Sequence, residues 1–310
     1  MSVRIGLGFG AFPFSGAAAF WRWVDACEEW GVDSLWLSER LVSTQTFLEP
    51  LTALAAIAGR TRQVKFGMNA TVLPLRDPLV LAKECATIDY LSDGRLLPMF
   101  GVGNDAAPEW KALGLDTKGR GARSNEMLAL LSRLWTEDHV SFDGKYYHFE
   151  DVTIAPKPKQ QPLPMWIGGS SEAAIERTAR YGNGWLAGAA QGPEQIARVV
   201  AGIRARSAEL GRPIDEDHYG AGFSFRFGSW EEPAVERSLQ TYRARPGVSA
   251  DPRDFMAVGD AEAIIDLVTR LREAGISKFV ARPIAESDEE MVEQSRMLAE
   301  HVSPTVNAMA

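Results

Sequence analysis

A strand that runs into two glycines and two serines is the part of this chain whose residue types point most directly to chemistry. Residues Met165–Ser171 read Met-Trp-Ile-Gly-Gly-Ser-Ser, and a helical pattern follows at once. Glycines let a ligand approach the backbone closely, and the first N–H groups of a helix have no partner within the helix. These features predict an anion site, typically for a phosphate group. Its members are Gly168, Gly169, Ser170 and Ser171. A tight turn in which one serine only caps the helix remains the alternative.

The elements that must position this site follow from periodicity, because short apolar strands alternate with longer helical patterns along the chain. The predicted strands are Arg4–Phe9, Ser34–Leu37, Val64–Val72, Leu96–Val102, Pro164–Ile167, Gly184–Gly188, Tyr219–Phe227 and Lys278–Arg282. Without a linker-like run between halves, this pattern predicts an α/β protein with a single (β/α)8 TIM barrel over residues 1–310. A hairpin-like insertion is expected after strand four, at Val140–Pro164. A long irregular loop is expected after strand seven, at Arg243–Val258.

A doubly wound sheet is the alternative architecture, and it would need a glycine-rich turn between strand one and a helix. Gly6, Gly8 and Gly10 instead lie within and just after strand one, and Ala11-Phe12-Pro13 follows them. We interpret these glycines as sites of close backbone packing.

In a barrel the active site lies at the carboxyl ends of the strands. Those ends are rich in glycine, amide and hydroxyl groups, and none of the four histidines lies at one of them. No cluster of His, Cys, Asp and Glu has the spacing of metal ligands, and no Gly-x-Ser-x-Gly elbow is present. We therefore expect no metal site. A bound cofactor that carries the chemistry itself is the better hypothesis.

The charge and the apolar runs of the sequence limit the classes of partner that are expected. The 310 residues carry a formal net charge of −8, and no run of Lys or Arg exceeds two residues, which argues against nucleic acid. The apolar runs are too short to span a membrane. Cys27 and Cys85 lie in helical patterns among apolar neighbours, as expected for buried thiols of a cytoplasmic protein.

Six segments spread over most of the chain carry a family resemblance. They are Gly31–Glu39, Lys65–Pro78, Leu81–Arg95, Gly101–Gly103, Trp166–Ser171 and Arg180–Trp185. In this order and spacing they resemble the bacterial luciferase-like family of flavin-dependent and coenzyme F420-dependent oxidoreductases. The sequence near Asp217–Gly220 and Ser277–Ile284 is similar to that of family members assigned to the deazaflavin coenzyme.

The resemblance implies where a cofactor would bind. The isoalloxazine or deazaflavin ring would lie across the strand ends, backed by a cis, non-proline peptide bond at Asn69–Ala70. The phosphate is expected at the Gly168–Ser171 turn, in agreement with the anion site. Trp185 would pack near the cofactor chain, or else serve as core. The remaining positions expected against the cofactor are Ser38, Gly101 and Gly103.

The resemblance also marks candidate catalytic residues. Glu39 would orient ring nitrogens or relay a proton, or else accept a hydrogen bond from the strand-three loop. Arg40 stands where many deazaflavin relatives have histidine. Asn104 stands where sugar-phosphate dehydrogenases of the family have glutamate. Because asparagine cannot act as a general acid, a sugar-phosphate substrate is disfavoured. Arg226 and Arg282 would bind an acidic substrate group or the cofactor tail, with a rim ion pair as the alternative.

Three functions follow as hypotheses. The first is hydride transfer between coenzyme F420 and an organic C=C, C=N or C=O group, or the reverse. The second is an FMN-dependent monooxygenase supplied with reduced flavin by a partner reductase. The third is a flavin-binding protein without turnover. The expected partners are a small-molecule substrate, a flavin or F420 reductase and a second copy of the chain.

Overall fold

The strand and helix patterns fold into a parallel ring of strands covered on the outside by helices. The structure is a computed structural model, and it describes residues 3–188, 190–244 and 251–309. The strands are β1 (Arg4–Phe9), β2 (Ser34–Leu37), β3 (Lys65–Met68), β4 (Thr71–Val72), β5 (Leu96–Leu97), β6 (Met99–Gly101), β7 (Val140–Asp143), β8 (His148–Val152), β9 (Trp166–Gly168), β10 (Gly184–Leu186), β11 (Tyr219–Phe227), β12 (Met256–Gly259) and β13 (Lys278–Pro283). The helices are α1 (Ala17–Glu29), α2 (Pro50–Arg60), α3 (Pro78–Leu91), α4 (Glu109–Ala112), α5 (Arg120–Thr136), α6 (Glu172–Tyr181), α7 (Pro193–Glu209), α8 (Pro233–Arg243), α9 (Ala261–Glu273), α10 (Asp288–His301) and α11 (Ser303–Asn307).

The ring closes through two predicted strands that are each broken into two pieces. β3 and β4 are pieces of the third strand, and β5 and β6 are pieces of the fourth, which Pro98 interrupts. Because β3 pairs with β5 and β4 pairs with β6, the two ends of the path β4-β6-β9-β10-β11-β13-β1-β2-β3-β5 meet. The ring therefore has eight strand positions, and the prediction of a (β/α)8 barrel is confirmed.

Two tryptophans fill the lower interior of the ring, and glycines on neighbouring strands make room for them. A Cβ atom on Gly67 would lie 2.8 Å from the ring of Trp36, and one on Gly184 would lie 2.6 Å from the ring of Trp166. The buried interior cluster consists of Trp36, Met99, Trp166, Leu186 and Val280. This cluster fills the barrel interior below the open end and forms the floor of that end.

The glycines of β1 also serve close packing, as predicted. A Cβ atom on Gly8 would lie 2.9 Å from the carbonyl oxygen of Trp36 and 2.9 Å from a methyl group of Val280. Helix α1 begins only at Ala17, well after the strand ends. A dinucleotide-binding turn is therefore absent at this position.

The stretch expected to be an irregular loop after strand seven contains regular structure, so that expectation was partly wrong. Helix α8 extends to Arg243, and β12 pairs in parallel with the carboxyl half of β11. Residues 245–250 of the expected loop lie outside the described residues. The strand was missed because a run of four residues near prolines gives little periodicity, and its pairing partner is distant in sequence.

The insertion after strand four was predicted correctly as a hairpin, since β7 and β8 pair antiparallel. The short helix α4, between β6 and α5, was not predicted. Cys27 and Cys85 are fully buried in the main core between the ring and the helices. In the part of the chain that is described, no helix is both long and apolar enough to cross a membrane.

Candidate active site

A cleft of about 1340 Å³ opens at the carboxyl ends of the barrel strands. Most of the predicted site residues line it. They are Ser38, Glu39, Arg40, Asn69, Ala70, Gly101, Gly103, Asn104, Gly168, Gly169 and Arg282. Ser170, Ser171, Trp185 and Arg226 do not appear among its lining residues. The geometry of the closed ring thus brings together positions that are far apart in sequence.

The turn from β9 into α6 has the form of an anion site. Gly169 adopts a φ of 113°, a conformation that side-chain-bearing residues rarely adopt. Ser171 caps α6, because its Oγ accepts a 3.3 Å hydrogen bond from the N–H of Ala174. The hydroxyl of Ser170 accepts a hydrogen bond from the side-chain amide of Gln191. The capping interpretation therefore holds for Ser171, while the helix N-terminus still directs its first N–H groups outward.

Trp185 is buried beneath this turn and does not touch the cleft. Its side chain is 0% exposed, and its indole Nε1 donates a 2.8 Å hydrogen bond to the carbonyl oxygen of Gly169. The burial fits the alternative in which Trp185 serves as core, and its hydrogen bond holds the carbonyl group of Gly169 in the predicted turn.

The peptide bond Asn69–Ala70 is cis, as the resemblance implied. It joins β3 to β4 and both residues line the cleft. The N–H of Asn69 donates a 2.7 Å hydrogen bond to the carbonyl of Leu37, which ties this bend to the neighbouring strand.

Glu39 anchors the same bend from the other side. Its side chain is 1% exposed, and Oε2 accepts a 2.6 Å hydrogen bond from the N–H of Val72. Oε1 accepts from Nε of Arg76 at 3.1 Å, and the Arg76 guanidinium also lies 2.6 Å from Glu49. Burial raises the pKa of Glu39 in spite of the attraction of Arg76. The structure thus supports the alternative of an acceptor for the strand-three loop, and both carboxylate oxygens are in use.

Arg226 is the second predicted residue whose placement differs from expectation. The guanidinium is bound by the carboxylates of Glu232 and Glu290 at 2.6 and 3.0 Å, and by the carbonyl of Ile284 at 2.8 Å. The hydrogen bonds that Arg226 donates to these partners, mainly those to Glu290, raise the pKa of Arg226. It forms the rim ion pair that was left open as the alternative, and it does not line the cleft.

Arg282 lies at the open end of the barrel. Its side chain lies over Gly222 inside the barrel mouth, where a Cβ atom on that glycine would be 3.6 Å from Nη2. It is half-buried and lines the cleft. Within the described residues it has no hydrogen bond or ion pair, so it remains available to an anionic group. Arg40 also lines the cleft and is exposed. Asn104 accepts a 3.0 Å hydrogen bond from the N–H of Ala106 and shapes its own turn.

Sequence reasoning missed Glu109, which begins α4 and lines the cleft. The residue is 3% exposed, and its Oε2 atom has no hydrogen-bond partner among the described residues. The only local signal was an acidic residue next to Trp110 shortly after strand four, and this pattern does not separate a cleft residue from a loop residue. No group of three or more His, Cys, Asp or Glu in the described ranges could hold a metal ion.

Comparisons with known proteins agree with this architecture. The chain is 30% identical over 270 residues to an F420-dependent glucose-6-phosphate dehydrogenase of Kineococcus radiotolerans, covering 84% of this chain and 77% of the relative. It is 34% identical over 171 residues to an FMNH2-dependent dimethylsulfone monooxygenase of Pseudomonas putida, covering 54% and 46%.

Among solved structures, an F420-dependent secondary alcohol dehydrogenase in complex with an F420-acetone adduct superposes with a TM-score of 0.83. The superposition covers 99% of both chains at 17% identity, and it concerns the fold alone. The family model for luciferase-like monooxygenases matches residues 12–254. On this match the chain belongs to the luciferase-like monooxygenase family.

Proposed function

We propose that this protein is an oxidoreductase that transfers a hydride between coenzyme F420 and a small organic substrate with a C=C, C=N or C=O group, or in the reverse direction. The observation that carries the proposal is a cleft at the carboxyl ends of the strands in which Ala70, Gly101, Gly168 and Gly169 expose backbone and small side chains, the last two just before the N-terminus of α6. Such a surface accepts a planar ring, and the helix N-terminus accepts a phosphate.

The residues present fit such a cofactor. A Cβ atom on Gly101 would meet only the Cβ of Ala70, at 3.6 Å, so the surface beside the Asn69–Ala70 bend is flat and open. We propose that the ring lies on this surface, near Ser38. The phosphate would be bound at Gly168–Ser171. When bound, the cofactor supplies or takes up the hydride, and the protein supplies binding and orientation.

The chain's own side chains would then act on the substrate. The guanidinium of Arg282 supports binding of an acidic substrate group in the barrel mouth, where it would orient the substrate over the floor. Arg40 would contribute a second positive charge at the cleft wall. Glucose 6-phosphate is disfavoured as the substrate, because Asn104 occupies the position of the family's glutamate.

The choice of F420 over FMN rests on how much of this chain aligns with each relative. The alignment with the F420-dependent relative covers 84% of the chain, and that with the FMNH2-dependent relative covers 54%. Titration of the apoprotein with oxidised and reduced forms of both cofactors tests it. We expect tighter binding of F420. Binding of FMN at least tenfold tighter, about 1.4 kcal/mol, would reverse the choice.

An FMN-dependent monooxygenase is the second candidate, supported by the similarity to the dimethylsulfone monooxygenase. It would need reduced flavin from a partner reductase, so oxygen consumption with FMN and a reductase would support it. A flavin-binding protein without turnover is the third candidate, and turnover with any electron acceptor excludes it.

We also propose that the protein forms a homodimer. Three apolar side chains are exposed on α3, with Val80 at 55%, Tyr90 at 55% and Leu91 at 72%. Burial of such a group against a second copy would remove it from water. The molar mass from light scattering tests this, and a monomer at all concentrations would contradict it.

A further inference from the structure

We propose that the carboxylate of Glu109 accepts a hydrogen bond from a hydroxyl group of the chain that links the cofactor ring to its phosphate. Coenzyme F420 and FMN share this polyol chain. The inference rests on the proposed function, because it takes the ring to lie at Asn69–Ala70 and the phosphate at Gly168–Ser171.

The first observation is that one carboxylate oxygen of Glu109 has no hydrogen-bond donor among the described residues. Glu109 is 3% exposed and lines the cleft, yet its Oε2 atom has no partner in the described parts of the chain. A buried carboxylate is costly unless donors surround it, and an ionised carboxylate can only accept. A ligand with an O–H or N–H group would supply the partner that this oxygen lacks. Because the last side-chain torsion of glutamate is broad, either oxygen can be presented to it.

The second observation is where Glu109 stands in the ring. Helix α4 follows β6, and β6 pairs with β4 on one side and with β9 on the other. A cofactor with its ring at the β3–β4 bend and its phosphate at the β9–α6 turn must cross the end of β6. At that end Gly101 leaves space for the cofactor, because a Cβ atom there would meet only the Cβ of Ala70, at 3.6 Å. The part of the cofactor that crosses there is the polyol chain.

The third observation is that Glu109 is held in place. The indole N–H of Trp110 donates a 2.8 Å hydrogen bond to the carbonyl of Asn104, which fixes α4 to the end of β6. A Cβ atom on Gly103 would lie 3.0 Å from the Trp110 ring, so the helix packs closely there. Glu39, the other buried carboxylate of the cleft, already accepts from Val72 and Arg76. Of these two carboxylates, Glu109 is therefore the one with an oxygen left for a ligand among the described residues.

The test compares Glu109→Gln and Glu109→Ala with Lys111→Ala, a substitution on the exposed face of the same helix. Each apoprotein is titrated with F420, FMN and lumiflavin, a ring without the polyol chain. We expect Glu109→Ala to bind F420 and FMN roughly 10- to 100-fold more weakly, with Glu109→Gln in between because it keeps one acceptor. Lumiflavin affinity should not change, and Lys111→Ala should match the wild type.

Thermal unfolding of the apoproteins supplies a second readout. Removal of an unpartnered buried charge should leave the melting temperature of Glu109→Gln unchanged or raise it. A lowered melting temperature, or an equal loss of affinity for all three ligands, would make Glu109 structural and overturn the inference. Unchanged F420 and FMN affinity with a raised substrate KM would assign it to the substrate and also overturn it. Wild-type protein that binds neither cofactor would instead refute the proposed function itself.

Discussion

The indole N–H of Trp185 donates a 2.8 Å hydrogen bond to the carbonyl oxygen of Gly169. This bond connects a fully buried side chain of β10 to the turn between β9 and α6. It orients the peptide unit at the proposed phosphate site from below, without contact between Trp185 and the cleft. The turn proposed to bind phosphate is therefore held in place by a side chain that does not line the cleft.

Substitution of Trp185 by phenylalanine should weaken cofactor binding. The change removes the donor to Gly169 and keeps most of the packing, so we expect a loss of about 1 kcal/mol, or roughly fivefold in affinity. Trp135→Phe is the matched control, because Trp135 is also buried and donates a 3.0 Å hydrogen bond to a backbone carbonyl, that of Ala82 in α3. Equal cofactor affinity of the two variants in a titration would contradict the positioning role.

Substitution of Gly169 by alanine should weaken both cofactor binding and the fold. At a φ of 113° a side chain is strained, and its Cβ atom would lie 3.0 Å from that of Ala174 at the start of α6. We expect a loss of about 1–3 kcal/mol of stability in urea unfolding and at least tenfold in cofactor affinity.

Gly211→Ala is the control for the backbone cost. Gly211 has a φ of 66° after the end of α7, with nothing within 4 Å of an added Cβ atom. This variant should lose stability but keep its cofactor affinity. A folded Gly169→Ala variant with unchanged affinity would mean that the phosphate binds elsewhere.

Two substitutions of Glu39 should distinguish the contribution of its charge to stability from that of its hydrogen bond with the N–H of Val72. Glu39→Gln keeps an acceptor for the N–H of Val72, whereas Glu39→Ala removes it. We therefore expect the alanine variant to be about 1–3 kcal/mol less stable than the glutamine variant in urea unfolding. Equal stability of the two variants would show that the bond to Val72 contributes nothing to the fold.

The difference in unfolding free energy between the wild type and Glu39→Gln should depend on pH with a defined sign. Because burial raises the pKa of Glu39 above its ordinary value of 4.5, the folded state holds this proton more tightly than the unfolded chain does. The resulting stabilisation is complete below pH 4.5 and is lost as the pH rises through the raised pKa. The unfolding free energy of the wild type relative to Glu39→Gln should therefore fall across this window. A rise would mean that Arg76 outweighs burial.

The two cysteines should be inert in the native protein. Cys27 and Cys85 are both fully buried, and burial raises the pKa of each thiol, so the reactive thiolate is disfavoured. With a thiol-specific disulfide reagent at pH 8, we expect no rapid reaction of the folded protein and two equivalents after unfolding in guanidinium chloride. Rapid labelling of the native protein would contradict the burial of these side chains.

The sequence by itself determined the barrel and the edge at which its site lies. The alternation of apolar strands and helical patterns is a local property that can be read along the chain. The residue types of the Gly168–Ser171 turn likewise predict an anion site without knowledge of the fold. The cis bond at Asn69–Ala70 could be located only through the family resemblance. The short strand β12 escaped prediction because its stability comes from pairing with β11 rather than from its own periodicity.

The tertiary structure decided which charged side chains are available to a ligand. Glu39 is occupied by Arg76, 37 residues away, and Arg226 is occupied by Glu290, 64 residues away. Arg282 and Glu109 both line the cleft, and Oε2 of Glu109 has no hydrogen-bond partner among the described residues. Composition and spacing cannot report such pairings, because a charge is neutralised by whatever the fold brings within a few ångströms of it, and that neighbour is set by ring closure and helix packing rather than by the local sequence.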